Sequence, residues 1–294
     1  MSAVEGLGAP GAATPGPGGP RAASVTLEPA SAAARRSRVL AVVLRDYYVL
    51  RRSLPRMLEI VYWPTVELLI WGYLSVFLQA RQVPAVVAVL LGGVLLWQVL
   101  FRSQSEVSMA FLEDIWSRNL LNVFVAPLTA GEYLTGVVTF GALKLVVNVA
   151  LMASIALVLY GFGLFTLGPA LVPFMALLLL MGWALAIVTI GVILRFGQAA
   201  EVIAWAMSFA FQPFAAVFYP VSVLPLAMQW IARLVPASYV FEGMRAVLAG
   251  RPLPWRSLLG AAVLDLLYVA GALLFFRRML VKVRANGGLS RFGE

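Results

Sequence analysis

Residues 169–194 read PALVPFMALLLLMGWALAIVTIGVIL, an uninterrupted apolar run without a single charged side chain. About 20 apolar residues span a bilayer as an α-helix, and in lipid every backbone polar group must be satisfied inside the segment. The run is therefore read as a membrane helix. Working outward, comparable runs occur at about Met57 to Leu78, Pro84 to Phe101, Tyr133 to Tyr160, Ala199 to Phe218 and Leu258 to Phe276. With Pro169 to Leu194 these predict six transmembrane helices. Alternating strands of about ten residues, the signature of a membrane barrel, are absent. The predicted fold class is an all-α polytopic membrane protein.

Composition agrees. Of 294 residues, 62% are hydrophobic and 12% charged, against about 45–50% and about 25% in ordinary soluble domains. The chain has no Cys and no His, which excludes disulfides, thiolate metal sites, imidazole bases and Ser-His-Asp chemistry. No G-x-x-x-x-G-K-[ST] motif occurs, so the chain has no P-loop of its own, and no G-x-S-x-G elbow or paired acids at metal spacing point to hydrolysis. No enzymatic activity, cofactor or metal is expected in this chain. The net charge of +9 is read as topology and anionic-lipid contact rather than nucleic-acid binding.

Residues 1–37 are rich in Ala, Gly, Pro and Ser and are read as a disordered tail. Residues 38–56 interleave apolar side chains with Arg45, Asp46, Arg51 and Arg52, which predicts an amphipathic helix lying at the membrane surface. The six-span domain is placed at 57–281 and a tail at 282–294. Arginines cluster before the first span, and Arg277, Arg278, Lys282, Arg284 and Arg291 follow the last. Both termini are therefore expected in the cytoplasm, in the plasma membrane.

Two connections exceed turn length. Between the second and third spans, Phe111, Leu112, Ile115, Trp116 and Leu120 mix with Glu113, Asp114 and Arg118, which predicts an amphipathic helix over about 108–124 offered to a partner. In the outer segment 219–250, Pro220, Pro225 and Pro236 break the chain into two short helices with apolar faces, expected to dip back into the membrane. Glu242 and Arg245 stand three apart on the second and can meet.

Ionisable residues inside spans are functional hypotheses by default. They are Glu67, Lys144 and Asp265, with Glu59 nearer the inner end of its span. Counted from their span starts, Glu67 and Lys144 fall at nearly equal depth, which predicts that they can pair.

The segments Tyr219-Pro-Val-Ser-Val-Leu-Pro225, Trp230-Ile-Ala-Arg-Leu-Val-Pro236 and Tyr239-Val-Phe-Glu-Gly-Met-Arg245, with Ala126-Pro-Leu-Thr129 before Glu132-Tyr133, resemble the membrane subunit of ABC-2 type exporters over about Arg38 to Lys282. Val235 departs from the asparagine commoner in that family before the second proline. The resemblance implies a permease paired with a second permease, as a homodimer or heterodimer, and driven by cytoplasmic ABC ATPase subunits that carry ATP and Mg²⁺. It implies that the stretch with Phe111, Glu113, Asp114, Trp116 and Arg118 is the coupling helix. It further implies that 219–250 is a re-entrant outer gate with Pro225 and Pro236 at its corners. The competing reading is an ATP-independent secondary transporter or channel using Glu67, Lys144 and Asp265.

Overall fold

The computed structural model describes residues 31–81, 85–117 and 128–285, and every regular element among them is helical. Helix α1 spans Ala32–Arg51 and starts where the Ser31 hydroxyl accepts a hydrogen bond from the Ala34 amide at 3.2 Å. Residues 32–37, read from composition as part of the tail, are thus its first turns. They are Ala-Ala-Ala-Arg-Arg-Ser, and alanine and arginine are strong helix formers once a cap is supplied.

Then follow α2 (Leu54–Ala80), α3 (Val86–Trp116), α4 (Ala130–Tyr160), a 3-10 segment (Leu164–Ala170) and α5 (Leu171–Phe196). After a 3-10 turn at Gly197–Ala200 come α6 (Glu201–Ala215), α7 (Leu226–Leu234), α8 (Pro236–Leu248) and α9 (Trp255–Ala285). Helix α9 carries three residues past 282, so the predicted tail begins later than its basic residues suggested.

Among the described residues, five helices are long and apolar enough to cross a membrane: α2, α3, α4, α5 with the 3-10 segment before it, and α9 up to Val283. Helix α6, in the predicted span Ala199 to Phe218, has 15 residues, about 22 Å of helix against a hydrocarbon core of about 30 Å. It nevertheless lies antiparallel along α3. The Ala204 carbonyl accepts from Gln104 Nε2 at 3.1 Å, Phe209 packs on Phe101 with ring centroids 5.2 Å apart, and Val217 lies against Gly93.

The helices divide into centre and rim. Helices α3 and α5 are buried over 72% and 67% of their most apolar windows, whereas α2, α4 and α9 are buried over 22%, 28% and 22%. A helix apolar all round suits the centre. Between such helices, lipid supplies no hydrophobic drive, so close backbone approach and dispersion hold them. Gly182 of α5 provides that approach, since a Cβ there would stand 2.7 Å from the Leu100 carbonyl of α3.

Two apolar clusters result. One gathers Leu91 to Leu100, Phe174, Phe241 and Met244. The other, at the α1 end, gathers Val42, Val107, Phe111, Leu112, Ile115, Tyr133, Ile190 and Phe276. Helix α6 runs from the second cluster, at Ala200 and Ala204, to the first, at Ala215 and Val217.

Candidate functional site

The α1 end holds a cavity of about 630 Å³ between α1, α2, α3, α4 and Trp205 of α6. Its charged lining comes from four helices: Arg45 and Asp46, Arg56 and Glu59, Arg102, Glu106, Glu113 and Asp114, and Lys144. The geometry of α3 explains why so many share one space. Gln98, Arg102 and Glu106 recur every four residues and so form one stripe along that helix.

The ions are cross-linked between helices. Lys144 pairs with Glu106, which also accepts from Arg102 Nη1 at 3.5 Å. Arg56 reaches Glu113 at 3.0 Å. Arg45 bridges Asp46 at 2.8 Å and Asp114 at 3.0 Å, and the Tyr133 hydroxyl donates to Asp114 at 2.7 Å. Burial opposes the charge on Arg45, but Asp114 and Asp46 outweigh it and raise its pKa above the ordinary value. Burial also pushes the Asp46 carboxyl up, against the pull of Arg45.

Helix α1 is clamped beside this cavity. Arg38 grips Glu132 with a fork, Nε to Oε2 at 3.0 Å and Nη2 to Oε1 at 2.6 Å. Glu132 simultaneously caps its own helix: it accepts from the Thr129 amide, and Thr129 Oγ1 accepts from the Glu132 amide. Below the fork, Gly136 lets Val42 nestle, since a Cβ at 136 would lie 2.6 Å from Val42 Cβ.

The separate amphipathic helix expected over about 108–124 is, as far as Trp116, the last turns of α3. Phe111, Leu112 and Ile115 are buried in the chain's own core, and Asp114 is buried against Arg45 and Tyr133. The charges at Arg102 and Glu106 did not end the helix because partners on α4 and on α3 itself hold them. Glu113 meets Arg56, while Trp116 stays 42% exposed. Arg118 and the rest of the stretch to 127 lie outside the described residues.

The expected pairing of Glu67 with Lys144 is not what forms. Glu67 accepts from Gln98 of α3, whereas Lys144 meets Glu106. Those partners stand eight residues apart, about 12 Å along α3. Counting residues from span starts assumed that α2 and α4 begin at one level, and it ignored which neighbour each side chain faces. Asp265 of α9 is fully buried at 0% exposure, and neither carboxylate oxygen has a hydrogen-bond partner among the described residues.

At the opposite end, α7 and α8 form as two short helices with Pro225 and Pro236 at their starts. Arg245 meets Glu242 at 3.1 Å, as their spacing allows. The pair does more than decorate a helix surface. Arg245 Nη1 donates to the Ala216 carbonyl at 2.8 Å, and Glu242 Oε1 accepts from the Val221 amide at 2.7 Å. Together they hold the chain between α6 and α7. Burial lowers the Arg245 pKa, with Glu242 opposing.

Sequence reasoning missed Arg102 and Glu106 because the second span closes at Phe101 on paper, and it missed Gln98, inside that span, because only ionisable residues were weighed there. Their four-residue spacing was the available signal. It also missed Arg38 with Glu132, although Thr129-x-x-Glu132 is a capping-box pattern.

The family model described as ABC-2 type transporter matches residues 47–249, well over half of the chain, from within α1 to the end of α8. Among curated proteins none matches the chain significantly.

Proposed function

The chain belongs to the ABC-2 type transporter family, and we propose that it is the permease subunit of an ATP-binding-cassette exporter. In this reading it forms the substrate path as one of two paired permeases, and a separate ATPase subunit binds ATP and Mg²⁺ and drives it. The family match is the observation that carries the reading.

The α1 end faces the cytoplasm, as the arginines before α2 and at the C-terminal end of α9 favour. Helix α6 serves as a sixth crossing, supported by its course between the two apolar clusters. An even count returns both termini to the cytoplasm. The α7 and α8 pair then lies outside as the gate, with Pro225 and Pro236 at its corners and Glu242 and Arg245 as its clamp.

Coupling runs through α3. Its exposed end at Trp116, rimmed by Glu113 and followed by Arg118, meets the ATPase. Displacing that end shifts Glu106, Glu113 and Asp114 on the same rigid helix, and through them their partners on α4, α2 and α1. Such ion pairs can re-sort between discrete arrangements, which is what alternating access needs.

Trp116→Ala tests this in the purified permease–ATPase complex. It is expected to lower ATP turnover and ATPase retention while the permease stays folded. Unchanged turnover and retention would remove the coupling role from this end of α3.

A further inference from the structure

Arg102 has far more hydrogen-bonding capacity than the fold uses. A guanidinium carries five N–H donors and no acceptor. Arg102 is only 8% exposed, lines the cavity, and has one long bond, to Glu106, while its Nε has no partner among the described residues. Glu106 is already shared with Lys144, and the nearby Glu67 is engaged by Gln98. Leaving charged donors buried and unmet is costly, so the site is built for an acceptor that the chain itself does not supply.

The rest of the wall limits what that acceptor belongs to. Ile60, Met109, Phe140 and Trp205 are apolar, and about 630 Å³ falls within the usual span of small-molecule sites, about 300–1,000 Å³. Glu59, Glu113 and Asp114 on the same wall repel a free anion, so apolar contact must contribute to affinity. Beside the cavity, α1 exposes Leu40, Leu44 and Tyr47, a surface suited to lipid.

We propose that this cavity binds the anionic head of an amphiphile. A phosphate or carboxylate oxygen docks on Arg102 with Lys144 beside it, and the apolar part lies against Phe140 and Trp205. The proposal rests on the permease reading and names its substrate class. An anion at Arg102 releases Glu106 to Lys144 alone, so occupancy alters the ion pairs that tie α3 to α4.

The test uses the purified full chain in neutral detergent without an ATPase, so its failure leaves the permease reading standing, and loss of ATPase coupling leaves this site standing. The probes are octyl phosphate, octyl glucoside and inorganic phosphate at equal concentration. Octyl phosphate is expected to raise the thermal midpoint and to slow alkylation of Ser105→Cys, a cavity position in a chain without native thiols. Arg102→Gln should require about tenfold more octyl phosphate for the same effect. If that variant does not fold, Lys144→Gln must weaken the response instead. An equal response to octyl glucoside overturns the anionic head. An equal response to inorganic phosphate overturns the amphiphile, and an undiminished response in both variants overturns the site.

Discussion

Lys144 of α4 closes on Glu106 of α3, 38 positions earlier in the chain, and Arg102 shares the same carboxylate one turn away. Two cations on one carboxylate make the losses unequal. Glu106→Gln strands both, and is expected to cost about 3–5 kcal/mol, the usual penalty for removing one member of a buried pair. Lys144→Met leaves Glu106 with Arg102 and should cost clearly less. Thermal midpoints in detergent, read as a double-mutant cycle, check this, and additivity of the two changes would mean that the pair does not form.

Docking of α1 on α4 depends on a fork and a missing side chain. Arg38→Ala removes the fork and should expose α1 to protease. Glu132→Ala should cost more, because it also removes the capping box at Thr129. Gly136→Val forces Val42 away, and Val42→Ala should recover part of that loss. Limited proteolysis rates along α1 report all four variants.

How much of this was legible follows from what kind of force places each residue. The uncharged run from Pro169 to Leu194 announced a membrane helix because lipid tolerates nothing else. Arg102 and Glu106 ended the second span on paper, since the cost of a charge in lipid is read locally while its compensation by Lys144 comes from another helix. Glu67 and Lys144 show the same limit from the other side. Their sequence depths matched, but pairing depends on the tilt and facing of two helices against a third. The α7 and α8 pair was legible because prolines act on the backbone wherever they stand, whereas the grip of Arg245 on the Ala216 carbonyl required knowing where α6 ends.

Arg245 and Glu242 hold the turn between α6 and α7. Arg245→Ala releases the Ala216 carbonyl and should loosen residues 216–221, with faster amide hydrogen exchange at Val221 and at its neighbours. Arg245→Lys keeps the charge without the planar fork and should restore only part of the protection. Exchange at Val221 unchanged in Arg245→Ala would show that Glu242 alone holds the turn.

Asp265 is fully buried, and neither of its carboxylate oxygens has a hydrogen-bond partner among the described residues. Removing such a group relieves a desolvation cost, so Asp265→Ala is expected to stabilise the fold by about 1 kcal/mol. The thermal midpoint in detergent measures this. A fall in midpoint would mean that the carboxyl contributes binding energy in the assembled protein.

The account's central claim is that the end of the bundle bearing Trp116 meets a separate ATPase while the end bearing Val223 does not. The most direct measurement places a single Cys at Ser117 or at Val223 of this Cys-free chain, attaches a photoreactive benzophenone, and identifies the adducts formed in native membranes by mass spectrometry. The account predicts a P-loop ATPase cross-linked from position 117 and absent from position 223. An ATPase adduct at position 223, or none from 117 when 117 does cross-link to lipid and to this chain, would contradict it.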